Sequence, residues 1–110
     1  MKLKGNGVIT FYRGDYGVPI AYTATGFAVG DKIVFCTSRN TVAPKVFGVD
    51  ALDEHGEFTF DLSLSEPEAR AVAASKTTVF WSFKHCREGV LIDTLATGSF
   101  EVRGAVEWRS

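Results

Sequence analysis

The sequence has few cysteines, little net charge and no long apolar run, and each shortage excludes a class of protein. Only Cys36 and Cys86 are cysteines, which is too few for a disulfide scaffold, and they lack the CxxC spacing of a zinc site. We expect two reduced thiols in or near the core. The alternative is an inter-sheet disulfide of the immunoglobulin kind, with Trp81 close to the second cysteine.

The formal net charge of -1 leaves no polybasic surface, so nucleic acid is not an expected partner. No stretch approaches the roughly 20 apolar residues that span a bilayer. The first seven residues hold two lysines with no apolar region behind them, which does not match a secretion signal. We therefore expect no membrane contact and a protein made in the cytoplasm.

The residues that are abundant favour strands. Nine phenylalanines accompany many Val, Ile and Thr residues, which suit a pleated, half-buried surface. Turn residues recur at nearly even spacing, as in a sandwich or barrel. They lie at Gly14-Asp15, Gly30-Asp31, Ser38-Arg39-Asn40, Asp53-Glu54-His55-Gly56, Arg87-Glu88-Gly89 and Thr97-Gly98. We predict one all-β domain over residues 1–110, an antiparallel immunoglobulin-like β-sandwich of about seven or eight strands with one short helix near residues 65–74.

The predicted strands lie between these turns and alternate between two faces. Val79, Trp81 and Phe83 share one face, and we expect this face to be core. Phe58, Phe60 and Leu62 should face the same core from another strand. The predicted strands are Gly7–Arg13, Pro19–Thr23, Lys32–Thr37, Lys45–Val49, Glu57–Leu62, Thr77–Cys86, Val90–Leu95 and Ser99–Trp108.

The predicted helix begins at a capping box. Ser65 and Glu68 have the S-x-x-E spacing, Pro67 lies in the first turn, and an Ala-rich stretch follows to Ala74. So short a helix is marginal alone. We expect it to pack across one end of the sandwich as a connection between strands.

Residues that could carry chemistry do not form a recognisable site. His55 lies in the polar turn 53–56, which is typical of a solvated hairpin tip. His85 and Cys86 are adjacent, so a strand would direct them to opposite faces. Cys36 could meet His85 across strands, but no third group is indicated to orient them. We predict no catalytic residue, no cofactor and no metal site.

Four aromatic residues are candidates for an interface or for stacking on a ligand: Tyr12, Tyr16, Tyr22 and Trp108. Such rings suit protein interfaces and sugar-binding platforms because they combine an apolar body with a polar group. The alternative is that each is a half-buried residue of a sheet.

Six short motifs follow one another along most of the chain. They are a strand running into an Arg-Gly-Asp turn (9–15), a Gly-Asp strand (30–35), an alternating strand with an acidic helix start (58–62 and 65–68), an aromatic strand (79–83), a turn and strand (89–95) and a closing strand (98–102). In this order they resemble the N-terminal β-sandwich domain of phage baseplate and tail-fibre proteins. The resemblance is to the upper-baseplate-protein type of Gram-positive siphophages and prophages.

The resemblance implies a non-catalytic structural or assembly protein, made in the bacterial cytoplasm and incorporated into a virion or phage-like particle. Its expected partners are other particle subunits and copies of itself, with a trimer as one option. The sequence ends after the predicted sandwich without a coiled coil or receptor-binding tip, so assembly or spacing is expected rather than host adsorption.

Two other functions remain open. A carbohydrate-binding module would use the four candidate aromatic residues as a planar stacking row. A small thiol-dependent enzyme would use Cys36, Cys86 and His85.

Overall fold

A computed structural model describes residues 2–4, 7–12 and 19–104. These residues form a mostly β structure with two sheets and one α-helix, as the composition indicates. A short 3-10 helix at Ser38–Asn40 follows the fourth strand. The elements are β1 (Lys2–Lys4), β2 (Val8–Tyr12), β3 (Ile20–Thr25), β4 (Lys32–Thr37), β5 (Lys45–Gly48), β6 (Glu57–Leu62), α1 (Glu66–Ala74), β7 (Phe80–Arg87) and β8 (Val90–Arg103).

The larger sheet has six strands in the order β1-β2-β8-β7-β4-β5, and the smaller sheet pairs β3 with β6. The prediction that all strands are antiparallel is wrong at one place. Strand β2 runs parallel to β8, from Val8 opposite Ser99 to Tyr12 opposite Arg103. Parallel neighbours need a long connection between them. Almost the whole domain lies between these two strands, so this requirement is met.

The core lies between the sheets and is centred on the ring of Phe83. That ring lies 4.8 Å from Tyr22, 5.2 Å from Phe35 and 5.3 Å from Phe60, measured between centroids. Trp81 packs beside it at 5.4 Å. The two predicted core faces are confirmed, because Val79, Trp81, Phe83, Phe60 and Leu62 are all buried. Phe58, the third member of the second face, is partly buried and packs against this core.

Strand β8 corrects the sequence interpretation. Residues 90–95 and 99–108 were expected to be separate strands with a turn at Thr97-Gly98, but β8 is continuous from Val90 to Arg103. Gly98 allows close packing and does not form a turn. A Cβ at this position would collide with the carbonyl oxygen of Gly7 and with the ring of Trp81. Glycine inside a strand is typical of such close approach.

Helix α1 confirms the predicted helix and its start. The Ser65 hydroxyl accepts a hydrogen bond from the Glu68 N–H, and the Glu68 carboxylate accepts one from the Ser65 N–H. Ala69 and Val72 are buried, so one face of the helix joins the core. An ion pair of 2.8 Å between Lys45 and Glu68 ties the helix to β5.

Candidate protein interface

The β7–β8 hairpin positions the candidate site. Arg87 pairs with Val90, so the connecting loop is the two residues Glu88 and Gly89. Both loop residues have positive φ, 53° and 78°, as in the type I′ turn that suits the twist of paired strands. The turn is tight, and it directs β8 back along β7 with a fixed register.

Three consecutive apolar residues follow this turn and are exposed. Val90 is 60% exposed, Leu91 54% and Ile92 51%. We call these three residues the apolar tip. A run of exposed apolar side chains is typical of an interaction surface or of an aggregation hazard. The tip can therefore bury apolar area only by contact with another molecule or with a segment outside the described residues.

One side of β8 is open beside the tip. Strand β2 begins to pair with β8 only at Ser99, whereas the pairing with β7 extends to Val90. Between Val90 and Ala96, no strand of the described residues pairs with the side of β8 that faces away from β7. We call this segment the open edge. The segment is irregular, because the ladder with β7 passes over Ile92 and Leu95 of β8 as extra residues.

A buried ion cluster fixes the β7 strand of the same hairpin next to the turn. Asp31 is 2% exposed and accepts two hydrogen bonds of 2.9 Å from Arg87. Its carboxylate also contacts Nε2 of His85 at 2.6 Å and accepts the Ala28 N–H at 2.9 Å. Phe27 packs edge-on against the imidazole ring. The end of β7 is thereby held to the loop that precedes β4.

The same contacts set the protonation of Asp31. Hydrogen bonds from the Arg87 guanidinium, followed by that from the Ala28 N–H, hold the pKa of the Asp31 carboxyl well below its usual range. Burial opposes this shift because it disfavours the charged form. The hydrogen bonds outweigh the effect of burial on the pKa, so the carboxylate remains charged inside the protein.

The three residues proposed for thiol chemistry do not converge. Cys36 lies opposite Ser82 and Cys86 opposite Lys32, on the outer face of the six-stranded sheet. Both are free thiols and half-buried. His85 lies on the inner face, where it is 4% exposed. The expected separation of His85 from Cys86 is confirmed, and Cys36 is likewise on the face away from the imidazole.

An open depression of about 660 Å³ lies on that outer face. Ser82, Thr97 and Ser99 provide hydroxyl groups, Lys84 provides an ammonium group, and the exposed ring of Phe80 forms part of the wall. Among residues 2–4, 7–12 and 19–104, no cluster of three or more His, Cys, Asp or Glu side chains could hold a metal ion.

The structure describes two of the four candidate aromatic residues. Tyr12 is 38% exposed at the end of β2. Tyr22 packs against the core, with its ring 5.6 Å from that of Phe60, so packing alone accounts for it. Tyr16 and Trp108 lie outside the described residues, as does the predicted Arg-Gly-Asp turn. Tyr12 and Tyr22 are not part of the apolar tip.

The sequence interpretation missed both the tip and Asp31. Val90, Leu91 and Ile92 were assigned to a strand, but three apolar residues in a row do not show which of them is exposed. The sequence feature that could have identified the tip is the loss of apolar–polar alternation directly after the Glu88-Gly89 turn. Asp31 follows Gly30 and was interpreted as a turn residue, whereas its partners are 54 and 56 positions away.

No helix of the described residues is long and apolar enough to cross a membrane. Comparison with protein-family models, with curated proteins and with solved structures found no match.

Proposed function

We propose that this domain is a non-catalytic structural subunit that works through protein–protein contacts. The apolar tip is the observation that carries the proposal, because Val90, Leu91 and Ile92 stand exposed together on a tight hairpin. Asp31 anchors Arg87, the β7 residue that pairs with Val90, so the tip is presented in a fixed orientation. A rigid apolar surface loses little conformational entropy on binding.

We further propose that the fold is immunoglobulin-like. In the variable type of that fold, strands G, F, C and C′ follow one another in one sheet, and B pairs with E in the other. The order β8-β7-β4-β5 and the pair β3-β6 match this arrangement when strands are assigned in chain order. Such domains are rigid frames that recognise partners through their loops and exposed strands.

The particle in which the subunit acts is proposed from the order of motifs along the chain. That order resembles a baseplate or tail-fibre domain, so we propose a phage or prophage particle assembled in the bacterial cytoplasm. The partners are then other particle subunits, including further copies of this chain. Recognition needs only complementary apolar patches with polar rims.

The test uses purified head and tail proteins encoded beside this chain. We expect at least one of them to form a complex with the domain on size-exclusion chromatography and in titration calorimetry. Replacing the tip by threonines (V90T, L91T and I92T) should weaken that complex by about tenfold or more, because central apolar contacts dominate interface energies. Threonine keeps the β-propensity of the strand.

The matched control is Val46→Thr, since Val46 is 58% exposed on β5, away from the hairpin. It should change the affinity by less than about twofold, equivalent to under ~0.5 kcal/mol. A domain that binds no neighbouring head or tail protein and also fails to self-associate would contradict the proposed function. Equal losses in the tip and control variants would contradict the assignment of the tip.

A further inference from the structure

A trough crosses the outer face of the six-stranded sheet, within the open depression of about 660 Å³. Its floor is one row of small polar side chains from three neighbouring strands, because Cys36 lies opposite Ser82 and Ser82 lies opposite Thr97. Phe80 and Lys84 lie on either side of Ser82 along β7, on the same face. We call these five residues the trough. The hollow arises because three small side chains lie between two large ones.

The geometry of the strands sets the size of the trough. Residues four apart on a strand have Cα atoms about 13 Å apart, and a row across three strands is about 10 Å long. These dimensions leave room for one sugar-sized ring between Phe80 and Lys84. The volume of the depression also lies within the ~300–1,000 Å³ that is typical of small-molecule sites.

The polar groups of the trough are not used by the fold. Among the described residues, the hydroxyls of Ser82 and Thr97 have no hydrogen-bond partner and Lys84 has no ion-pair partner. No carboxylate of these residues lines the depression. Phe80 is 57% exposed, and its N–H donates a hydrogen bond of 3.1 Å to the Ser38 hydroxyl, which holds the backbone beneath the ring. The trough therefore presents hydroxyl groups, one cation and one aromatic ring together.

We propose that the trough binds an acidic sugar, which is a saccharide ring that carries a carboxylate. The apolar C–H face of the sugar ring stacks on Phe80. The floor hydroxyls both donate hydrogen bonds to the sugar hydroxyls and accept hydrogen bonds from them. The Lys84 ammonium pairs with the carboxylate in a charge-assisted hydrogen bond. This site goes beyond the proposed function, because it lies on the face of the sheet and does not involve the apolar tip.

Other classes of ligand use fewer of these groups. A peptide that binds as an added strand needs free backbone groups at a sheet edge, but β7 is paired on both sides, with β4 and β8. A metal ion needs a cluster of ligands, which the described part of the chain does not contain. An apolar ligand would cover the floor hydroxyls without giving them hydrogen bonds, which is unfavourable. A sugar with a carboxylate uses the ring, the hydroxyls and the ammonium at once.

Titration of the isotope-labelled chain with D-glucuronate, followed by amide NMR, tests the site. We expect a dissociation constant on the order of 1 mM, as for a small ligand in an open site, with shift changes at Phe80, Ser82 and Thr97. D-glucose and acetate are the matched probes, because glucose lacks the carboxylate and acetate lacks the ring. Each should bind about fivefold more weakly than glucuronate, or weaker still.

Two substitutions separate the contributions of charge and stacking. Lys84→Met should lower the affinity for glucuronate to that for glucose and leave glucose binding unchanged, because it removes only the charge. Phe80→Ala should weaken both sugars by about fivefold. The matched controls are Lys76→Met and Val46→Ala, since both residues are exposed and lie outside the depression. Neither control should change the affinity by more than about twofold.

Filling the trough distinguishes a shaped site from general attraction to a lysine. Ser82→Leu keeps Phe80 and Lys84 but occupies the floor, so it should abolish the binding of both sugars. Circular dichroism and the unfolding temperature check that each variant keeps its fold.

The tip variant (V90T, L91T and I92T) should bind glucuronate with unchanged affinity, so this site and the proposed function can fail independently. No saturable binding of glucuronate would overturn the proposed site. Acetate binding as tight as that of glucuronate would overturn the assignment to a sugar, and equal losses in the Lys84 and Lys76 variants would overturn the role of Lys84.

Discussion

The two strands of the β7–β8 hairpin differ, next to the turn, in how far their groups are satisfied. On the β7 strand, Arg87 donates hydrogen bonds to the buried carboxylate of Asp31, which also accepts the Ala28 N–H. On the β8 strand, the apolar tip of Val90, Leu91 and Ile92 is about half or more exposed, beside an open strand edge. One supersecondary unit thus provides stability on one strand and recognition on the other. Changes at Asp31 should affect folding, and changes at the tip should affect association.

The largest expected effect is at the core side of β7. Phe83→Ala should lower the free energy of unfolding by about 3–5 kcal/mol, because its ring contacts aromatic side chains from both sheets. Urea unfolding followed by tryptophan fluorescence measures this loss. Phe80→Ala is the matched control on the outer face, where Phe80 is 57% exposed, and it should cost less than about 1 kcal/mol. Equal losses would contradict the assignment of faces.

A smaller loss of stability is expected on removing the charge of Asp31. Asp31→Asn keeps the shape of the side chain but weakens the pairing with Arg87, so stability should fall at neutral pH. The folded-state pKa of Asp31 is depressed. Its contribution is therefore complete above the ordinary aspartate pKa of about 3.9 and is lost as the pH falls through the folded-state pKa.

The difference in stability between the parent protein and Asp31→Asn should accordingly be largest near neutral pH and shrink below about pH 4. Thermal unfolding over a pH series measures it. Asp61→Asn, on the exposed side of β6, is the matched substitution and should leave the unfolding temperature nearly unchanged. A loss for Asp31→Asn that does not depend on pH would show that packing, and not charge, fixes the β7 strand beside the turn.

The smallest effect on stability is expected at the tip. Leu91→Thr should change the free energy of unfolding by no more than about 0.5 kcal/mol, because surface substitutions seldom exceed this value. The same variant should reduce self-association, measured by light scattering across a dilution series. A large loss of stability here would mean that Leu91 stabilises the fold, and it would contradict the contrast between the anchored β7 strand and the tip.

Local sequence patterns predicted those features of the fold that depend on residues close together in the sequence. Alternation identified Trp81 and Phe83 as core, and the Ser65 capping box located the start of the helix within one residue. Long-range relations were not predictable in this way. Gly98 has the composition of a turn but accommodates Gly7 and Trp81, and Asp31 pairs with residues more than 50 positions away. Neither relation leaves a signature in the adjacent sequence.

The sequence predicted the secondary structure of the candidate interface but not its exposure. Apolar residues after the Glu88-Gly89 turn predicted a strand, and that prediction is correct. Whether those residues are covered depends on where β2 begins to pair with β8, at Ser99. That starting point depends on the close approach of Gly7 to Gly98 and not on any property of residues 90–92. Exposure of the tip is therefore a property of the assembled sheet.

Amide hydrogen exchange at two protein concentrations tests the contrast between the anchored β7 strand and the exposed tip most directly. We predict that amides of β7 next to His85 are protected at both concentrations, whereas some amides between Val90 and Ala96 become protected only at the higher one. Protection of residues 90–96 that does not change with concentration, or concentration-dependent protection that falls only elsewhere, would contradict the account.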